Sequence, residues 1–313
     1  MPLACIDIGS NTTRLLVAEL TEGRPRELAA QRAYTRIVKD LGTSDRISAA
    51  KIAETAGVVA RQVRAAADLG AREVAVVGTA VVREAVNRDE LARAVAAAGV
   101  RLETVSDEEE ARLAFLGATA TLGSALTGIA GVVDVGGGST EIAVGTREGG
   151  VSWWRSLAVG SGRLSDAHLR SDPPKRRELA SARKHAAELF DDVRPPVMSR
   201  CLVVGGTARS LKKVVGGELT PETLGRALEI LGTSPGAEIA ERFDVDPQRA
   251  PLLAGGAVIF EALLERLERP FTVAPGGLRE GLVLELAAGR RHGSPIEPAP
   301  LATTDSATTP VAR

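Results

Sequence analysis

The sequence predicts an α/β protein made of two duplicated lobes with a cleft between them, and three observations carry the prediction. The first is an internal repeat. Ile6-Asp7-Ile8-Gly9-Ser10-Asn11-Thr12-Thr13 reappears as Val133-Asp134-Val135-Gly136-Gly137-Gly138-Ser139-Thr140, 127 positions further on. The second is the pattern around each copy: an apolar, β-branched strand, a glycine-containing turn with hydroxyls, then two more strands. The third is the stretch after each meander, where amphipathic helix patterns alternate with short buried strands.

Each element has a local reason. Strands are expected over 3–8, 14–20 and 26–34. Ser48 to Leu69 carries apolar residues at helical spacing and stops at Gly70. Glu73 to Val77 reads as a buried strand. Asn87 is placed to cap the next helix, with Glu90 at the capping-box position and Gly99 at its end. A strand over 102–105 leads to Ser106, which caps a further helix with Glu109 three residues on. The second half repeats the meander at 130–135, 139–146 and 150–158. After a helix-rich stretch broken at Pro173-Pro174 comes a strand over 201–204 that runs into Gly205-Gly206-Thr207. Helices come next over 220–231, 235–242 and 250–268, then a strand over 271–274 and a helix over 278–289. From Gly293 the chain is Pro, Ser, Thr and Ala without apolar period and is read as a disordered tail.

Composition excludes several functions. The 313 residues are 44% hydrophobic and 25% charged, which allows two real cores. A net charge of −1 gives no global field for nucleic acid or membranes, and 3% aromatics gives no base-stacking platform. Cys5 and Cys201 sit in strands and read as buried thiols. His168, His185 and His292 form no metal-binding spacing. The uncharged run from Leu113 to Val133 contains four glycines. It therefore reads as a helix end, a loop and a strand, not as a membrane span. The chain opens directly on a strand, so a cytoplasmic protein is expected.

The repeated turn points to phosphate. Its glycines let a phosphate approach the backbone, its N–H groups face outward, and Ser10, Thr12, Ser139 and Thr140 add hydroxyls. Two such turns facing each other would grip a phosphate chain from both sides. The alternative is a pair of ordinary tight hairpins.

Seven segments, in order, resemble the exopolyphosphatase / guanosine pentaphosphate phosphohydrolase family of the actin–Hsp70–sugar-kinase superfamily. They are residues 7–15, 78–87, 106–112, 134–141, 156–164, 205–207 and 277–281. The chain departs from the family pattern at Asp107, where glycine is common, and at Gly78-Thr79-Ala80-Val81, where Ala-Thr-Ser-Ala is common. The resemblance implies duplicated actin-like (ribonuclease H-like) domains with an inter-domain cleft. The lobes fall at 1–125 and 126–290, with the tail at 291–313. It also implies a homodimer and an Mg²⁺ (or Mn²⁺) cofactor. The activity implied is removal of terminal orthophosphate from inorganic polyphosphate. Short chains are preferred, because longer family members carry additional C-terminal domains. The alternative substrate is guanosine pentaphosphate; a second class is an ATP-dependent sugar or acyl kinase, and a third a non-catalytic scaffold.

The matched positions imply roles. Ser10, Asn11, Thr12, Gly136, Gly137, Gly138, Ser139 and Thr140 form the phosphate cradle. Asp7 and Asp134 suit Mg²⁺ held through water, or merely cap their turns. On residue type alone Glu108, Glu109 and Glu110 are equivalent first-turn acids. The resemblance singles out Glu110 as the base that activates water, with Glu109 completing the capping box. Glu141 either positions water or metal or is an exposed strand residue. Arg14, Arg83, Arg163 and Arg279 each lie in a matching motif, where a guanidinium fork suits phosphate oxygens. Arg83 is the foremost of them. Gly205-Gly206-Thr207 is read as a packing turn.

Overall fold

The computed structural model describes residues 1–296. In the first lobe, β1 (Leu3–Ile8), β2 (Thr13–Thr21) and β3 (Arg24–Ala33) form an antiparallel meander. Then come α1 (Val38–Ser44), α2 (Ala49–Asp68), β4 (Glu73–Gly78), α3 (Ala80–Glu84), α4 (Arg88–Ala96), β5 (Leu102–Thr104) and α5 (Asp107–Leu122). The second lobe repeats the plan with β6 (Ala130–Val135), β7 (Thr140–Thr146) and β8 (Gly150–Leu157). It continues with α6 (Ser161–His168), α7 (Arg176–Leu189), β9 (Arg200–Val204), α8 (Gly205–Val215), α9 (Pro221–Leu231), α10 (Gly236–Arg242) and α11 (Leu253–Leu267). Next are β10 (Phe271–Val273), α12 (Leu278–Ala287) and β11 (Ser294–Pro295).

Apart from β11, which pairs antiparallel with β4, the two sheets have the same topology. β4 pairs in parallel with β1 and with β5; β9 pairs in parallel with β6 and with β10. The spatial orders are thus β3-β2-β1-β4-β5 and β8-β7-β6-β9-β10. Because β1 and β6 are central, their last residues reach the same end of each sheet, and there the repeated turns emerge.

Each sheet is covered on both faces, which explains why β1 and β6 are almost continuously apolar. One face of the first sheet packs on α2 and α4 through Val59, Val63, Leu91 and Val95. α2 starts where Ser48 Oγ accepts from Lys51 N–H at 3.3 Å and ends before Gly70 at φ +81°. The opposite faces are covered by helices that cross over. α12 lays Leu278, Leu282, Val283 and Leu286 on β1, β2 and β4 of the first sheet. α5 lays Ala111, Ala114, Phe115 and Ala118 on the second. The two helices touch at glycines: a Cβ on Gly117 would stand 2.0 Å from Gly277 O, and one on Gly281 2.1 Å from Leu113 O. So each helix crosses the lobe limits drawn at 125 and 290, and the crossed pair joins the lobes back to back.

Several local expectations change. Asn87 does not cap α4; its amide bridges the Ile47 backbone, accepting from N–H and donating to O at 2.9 Å each. Glu109 closes no capping box, because Arg112 and Arg291 hold its carboxylate. The helix expected over 250–268 is a 3-10 turn, Ala250–Leu252, followed by α11. The tail does not begin at 291: Ser294 pairs with Val74 and Pro295 with Glu73, and Ile296 packs against the first core. Residues 297–313 of that tail lie outside the described residues. Among the described residues, no helix is long and apolar enough to cross a membrane.

Candidate active site

Both turns are built alike. Gly9 N–H donates to Thr12 O at 3.0 Å, and Gly136 N–H donates to Ser139 O at 3.0 Å. Their carbonyls are pinned from behind. Ser10 O accepts from Val38 N–H and Asn11 O from Arg36 N–H; Gly137 O accepts from both Gly162 and Arg163 N–H. Among the described residues, no hydrogen bond engages the N–H groups of Ser10, Asn11, Gly137 or Gly138. A turn held by its carbonyls with its amides free is an anion-binding concavity.

The turns face each other. A Cβ on Gly138 would stand 2.4 Å from Ser10 Oγ, and one on Gly137 2.5 Å from Asn11 Nδ2. Together they line a solvent-open cleft. Asp7, Ser10, Asn11, Thr12, Glu110, Asp134, Gly136, Gly137, Gly138, Ser139 and Glu141 all contribute to its wall. The first-turn acids of α5 now separate. Glu110 turns inward and is buried, Glu109 is ion-paired away from the cleft, and Glu108 is exposed.

Four expected site residues do not reach the cleft wall. Thr140 is fully buried and donates to Val159 O at 2.6 Å, because the alternation of β7 points it into the second core. Arg163 donates to Ala158 O at 3.1 Å and pairs with Glu84 of the first lobe at 2.6 Å. Arg279 is buried behind the site and donates to Leu15 O at 3.1 Å. Arg83 stands behind Glu110, donating to its carboxylate at 3.3 Å and to Val105 O at 2.7 Å, and it also pairs with Asp107.

Residues 16–289 match the Ppx/GppA phosphatase family. The chain belongs to that family. Exopolyphosphatase 1 of Mycobacterium leprae is 29% identical over 315 residues, covering 95% of this chain and 92% of that protein. The guanosine-5′-triphosphate,3′-diphosphate pyrophosphatase of Aeromonas hydrophila is 28% identical over 92% of this chain but only 60% of its own length. The crystal structure of the Aquifex aeolicus Ppx/GppA family member superposes with a TM-score of 0.78 at 27% identity, covering 94% of this chain and 99% of that one. The reading as a phosphoanhydride hydrolase with duplicated actin-like lobes agrees with these relatives.

The electrostatics of this Ppx/GppA phosphatase are lopsided within one cleft. Burial, then the neighbouring Asp134, pushes the Glu141 carboxyl up to about 8, although Ser156 Oγ donates to it at 3.1 Å. Burial, then Glu141, pushes Glu110 well above the carboxylate range, with Arg83 opposing. Asp7 is raised to about 6 by burial, and Asp134 is raised for the same reason. Beside these acids stand Arg14, Arg209 and Arg249, half-buried and, among the described residues, without a carboxylate in ion-pair contact. Burial, then repulsion from Arg279 and Arg209, pulls Arg14 well below its usual value. Burial lowers Arg209 and Arg249 likewise. A guanidinium keeps its proton in proteins, so these three part-buried groups present positive charge to an anion.

Sequence reasoning missed part of this wall. Arg249 and Tyr34 line the cleft from loops that carry no motif. Thr79 and Ser161 also line it, as does Gly205-Gly206-Thr207 at the start of α8. Gly205 sits at φ +84°, and a Cβ there would be 2.4 Å from Asp134 Oδ1. That glycine before a helix was the available signal for a site rather than for packing.

Proposed function

We propose that this phosphatase is an exopolyphosphatase that moves the terminal phosphoryl group of inorganic polyphosphate, preferably short chains, to water. The observation that carries the reading is the face-to-face packing of two turns whose amides are free. It needs a ligand with oxygens on opposite sides, and the end of a phosphoanhydride chain has them. Arg14 and Arg249, without a carboxylate partner among the described residues, suit the next phosphates along the chain.

The reaction is an in-line displacement in which positioning and charge do most of the work. The N–H groups of Ser10 and Asn11 hold the terminal phosphate from one lobe, and those of Gly137 and Gly138 from the other. Glu110 takes a proton from the attacking water, whose oxygen bonds to the terminal phosphorus. The bridging P–O bond breaks, orthophosphate leaves, and the shortened chain keeps the bridging oxygen and its negative charge. Arg14 and Arg249 offset that charge. Glu141, on the same wall as Glu110, would help position the water or the metal.

Mg²⁺ (or Mn²⁺) is the cofactor in this reading, and the residues fit it. Asp7 Oδ1 is a buried acceptor with no hydrogen-bond partner among the described residues, a hard oxygen available to a divalent cation. Among the described residues, no three acidic, imidazole or thiol groups converge on one point. Asp7 and Asp134 therefore suit a cation that keeps most of its waters, as Mg²⁺ does. Bound there, the ion supplies positive charge against the phosphate oxygens.

The test is phosphate release from tripolyphosphate, long polyphosphate, guanosine pentaphosphate and ATP, repeated with Glu110→Gln. The reading expects release from polyphosphate and a loss of about 10²–10⁴-fold in kcat for the variant. Turnover of guanosine pentaphosphate without polyphosphate would establish the alternative substrate. Turnover of ATP only in the presence of a sugar would establish a kinase. Full activity in Glu110→Gln removes Glu110 as the base.

A further inference from the structure

Helix α5 opens with four acids in one turn: Asp107, Glu108, Glu109 and Glu110. The helix dipole favours negative charge there, but four carboxylates in one turn repel each other. Glu110 reaches the cleft only while this turn stays closed. Behind Glu110, Arg83 ties it together through Val105 O, Asp107 and Glu110.

From the opposite side comes Arg291. Its guanidinium meets Glu103 at 2.6 Å and Glu109 at 2.5 Å, and its side chain is only 10% exposed. Glu103 lies on β5, before the β5–α5 junction; Glu109 lies after it. Arg291 therefore brackets the junction that delivers Glu110. The Glu109 partner is partly buried at 24% exposure and Glu103 is exposed at 40%, so the Glu109 pair is the less screened of the two.

The arginine is itself held at both ends. After Gly289, at φ +64°, the N–H groups of Arg290 and Arg291 donate to Glu285 O at 3.0 and 3.3 Å. Beyond it, Arg101 N–H donates to Ser294 Oγ at 2.8 Å, and Ile296 N–H donates to Arg72 O at 2.9 Å. All of these anchors after α12 lie past residue 289, where the family match ends.

We infer that Arg291 is a positioning residue for Glu110, and that the segment after α12 is a brace for the base-bearing helix. This rests on the reading of Glu110 as the base. Arg291 touches neither the cleft nor Glu110, so its effect passes through the junction alone.

The test compares Arg291→Gln, Arg291→Lys and the exposed control Arg290→Gln. Arg291→Gln is expected to lower kcat on tripolyphosphate about tenfold, since small misplacements of a reacting group cost up to about 10²-fold. KM should change by less than about twofold. Arg291→Lys should recover part of the loss, and Arg290→Gln should match the wild type. In the Glu110→Gln background, Arg291→Gln should cause no further loss, because the two act as one unit. Amide hydrogen exchange over residues 106–110 should quicken in Arg291→Gln while that of α2 does not. Unchanged kcat, an equal loss on the Glu110→Gln background, or unchanged exchange over 106–110 each overturns the inference. If Arg291→Gln does not fold, Arg291→Lys is judged by the same three readouts. If wild-type protein releases no phosphate from polyphosphate, the functional reading fails, while the exchange comparison still decides the brace.

Discussion

Replacing Gly160 by alanine should damage both catalysis and stability, and the size of each effect can be worked out. Gly160 precedes α6 at φ −140° and ψ 171°, a backbone conformation that alanine adopts freely. The obstacle is contact. A Cβ there would stand 2.5 Å from the carbonyl carbon of Gly137, a backbone atom, whereas ordinary contact begins at 3.4 Å. The second phosphate turn must therefore retreat by about 0.9 Å, the difference between those distances. A 1 Å misplacement at a reacting centre can cost about 10²-fold in rate. Overpacking of this kind costs about 1–3 kcal/mol of stability. The assay is kcat on tripolyphosphate beside a thermal melt. Gly225→Ala serves as control, because nothing lies within 4 Å of a Cβ there. Gly160→Ala with more than half the wild-type kcat and an unchanged melt would refute the claim that the position of this turn sets the rate.

Other perturbations separate charge from structure. Arg249→Gln should lower kcat/KM on polyphosphate roughly 10–100-fold, since a charge-assisted hydrogen bond is worth about 1.5–3 kcal/mol. It should not lower the melting temperature, because the guanidinium is partly desolvated and, among the described residues, meets no carboxylate in ion-pair contact, with attraction from Tyr34 and Asp246 set against repulsion from Arg32 and Arg209; a drop in both would contradict its role as an anion contact. The rate should rise as pH climbs beyond the ordinary carboxylate range, because burial raises Glu110 and the base works only when ionised; a rate that does not change with pH opposes this. Stability of the cation-free protein has the opposite sign. A carboxyl raised by folding stabilises the fold below its ordinary value and loses that contribution as pH climbs through the raised one. For Glu141 the window runs from 4.5 to about 8. The melting temperature should therefore fall across it, and Glu141→Gln should flatten the fall.

The parts legible in the sequence were those written as local repeats. Asp7 and Asp134 mark equivalent strand ends because a central strand and its turn are specified by eight neighbouring residues. The meanders, α2 and the Ser106 cap on α5 arise from the same short-range chemistry, and Ser106 Oγ does accept from Glu109 N–H at 3.1 Å. Side-chain destination was not legible. Arg163 and Arg279 stand in motifs as plausible as that of Arg14, yet one bridges to Glu84 and the other turns behind β2 to Leu15 O. Only the packing of α6 and α12 decides that. The crossing of α5 and α12 was equally hidden, because an apolar helix stripe says that it packs and not on which sheet. Arg249 and Tyr34 come from loops with no pattern and enter the cleft only once the lobes are assembled.

The most direct test is a single turnover of tripolyphosphate in ¹⁸O-labelled water, followed by ³¹P NMR. If the paired turns clasp the chain end while Glu110 delivers water to the terminal phosphorus, the orthophosphate released carries the label and the pyrophosphate left behind does not. Label in the pyrophosphate, or no orthophosphate at all, would contradict the account.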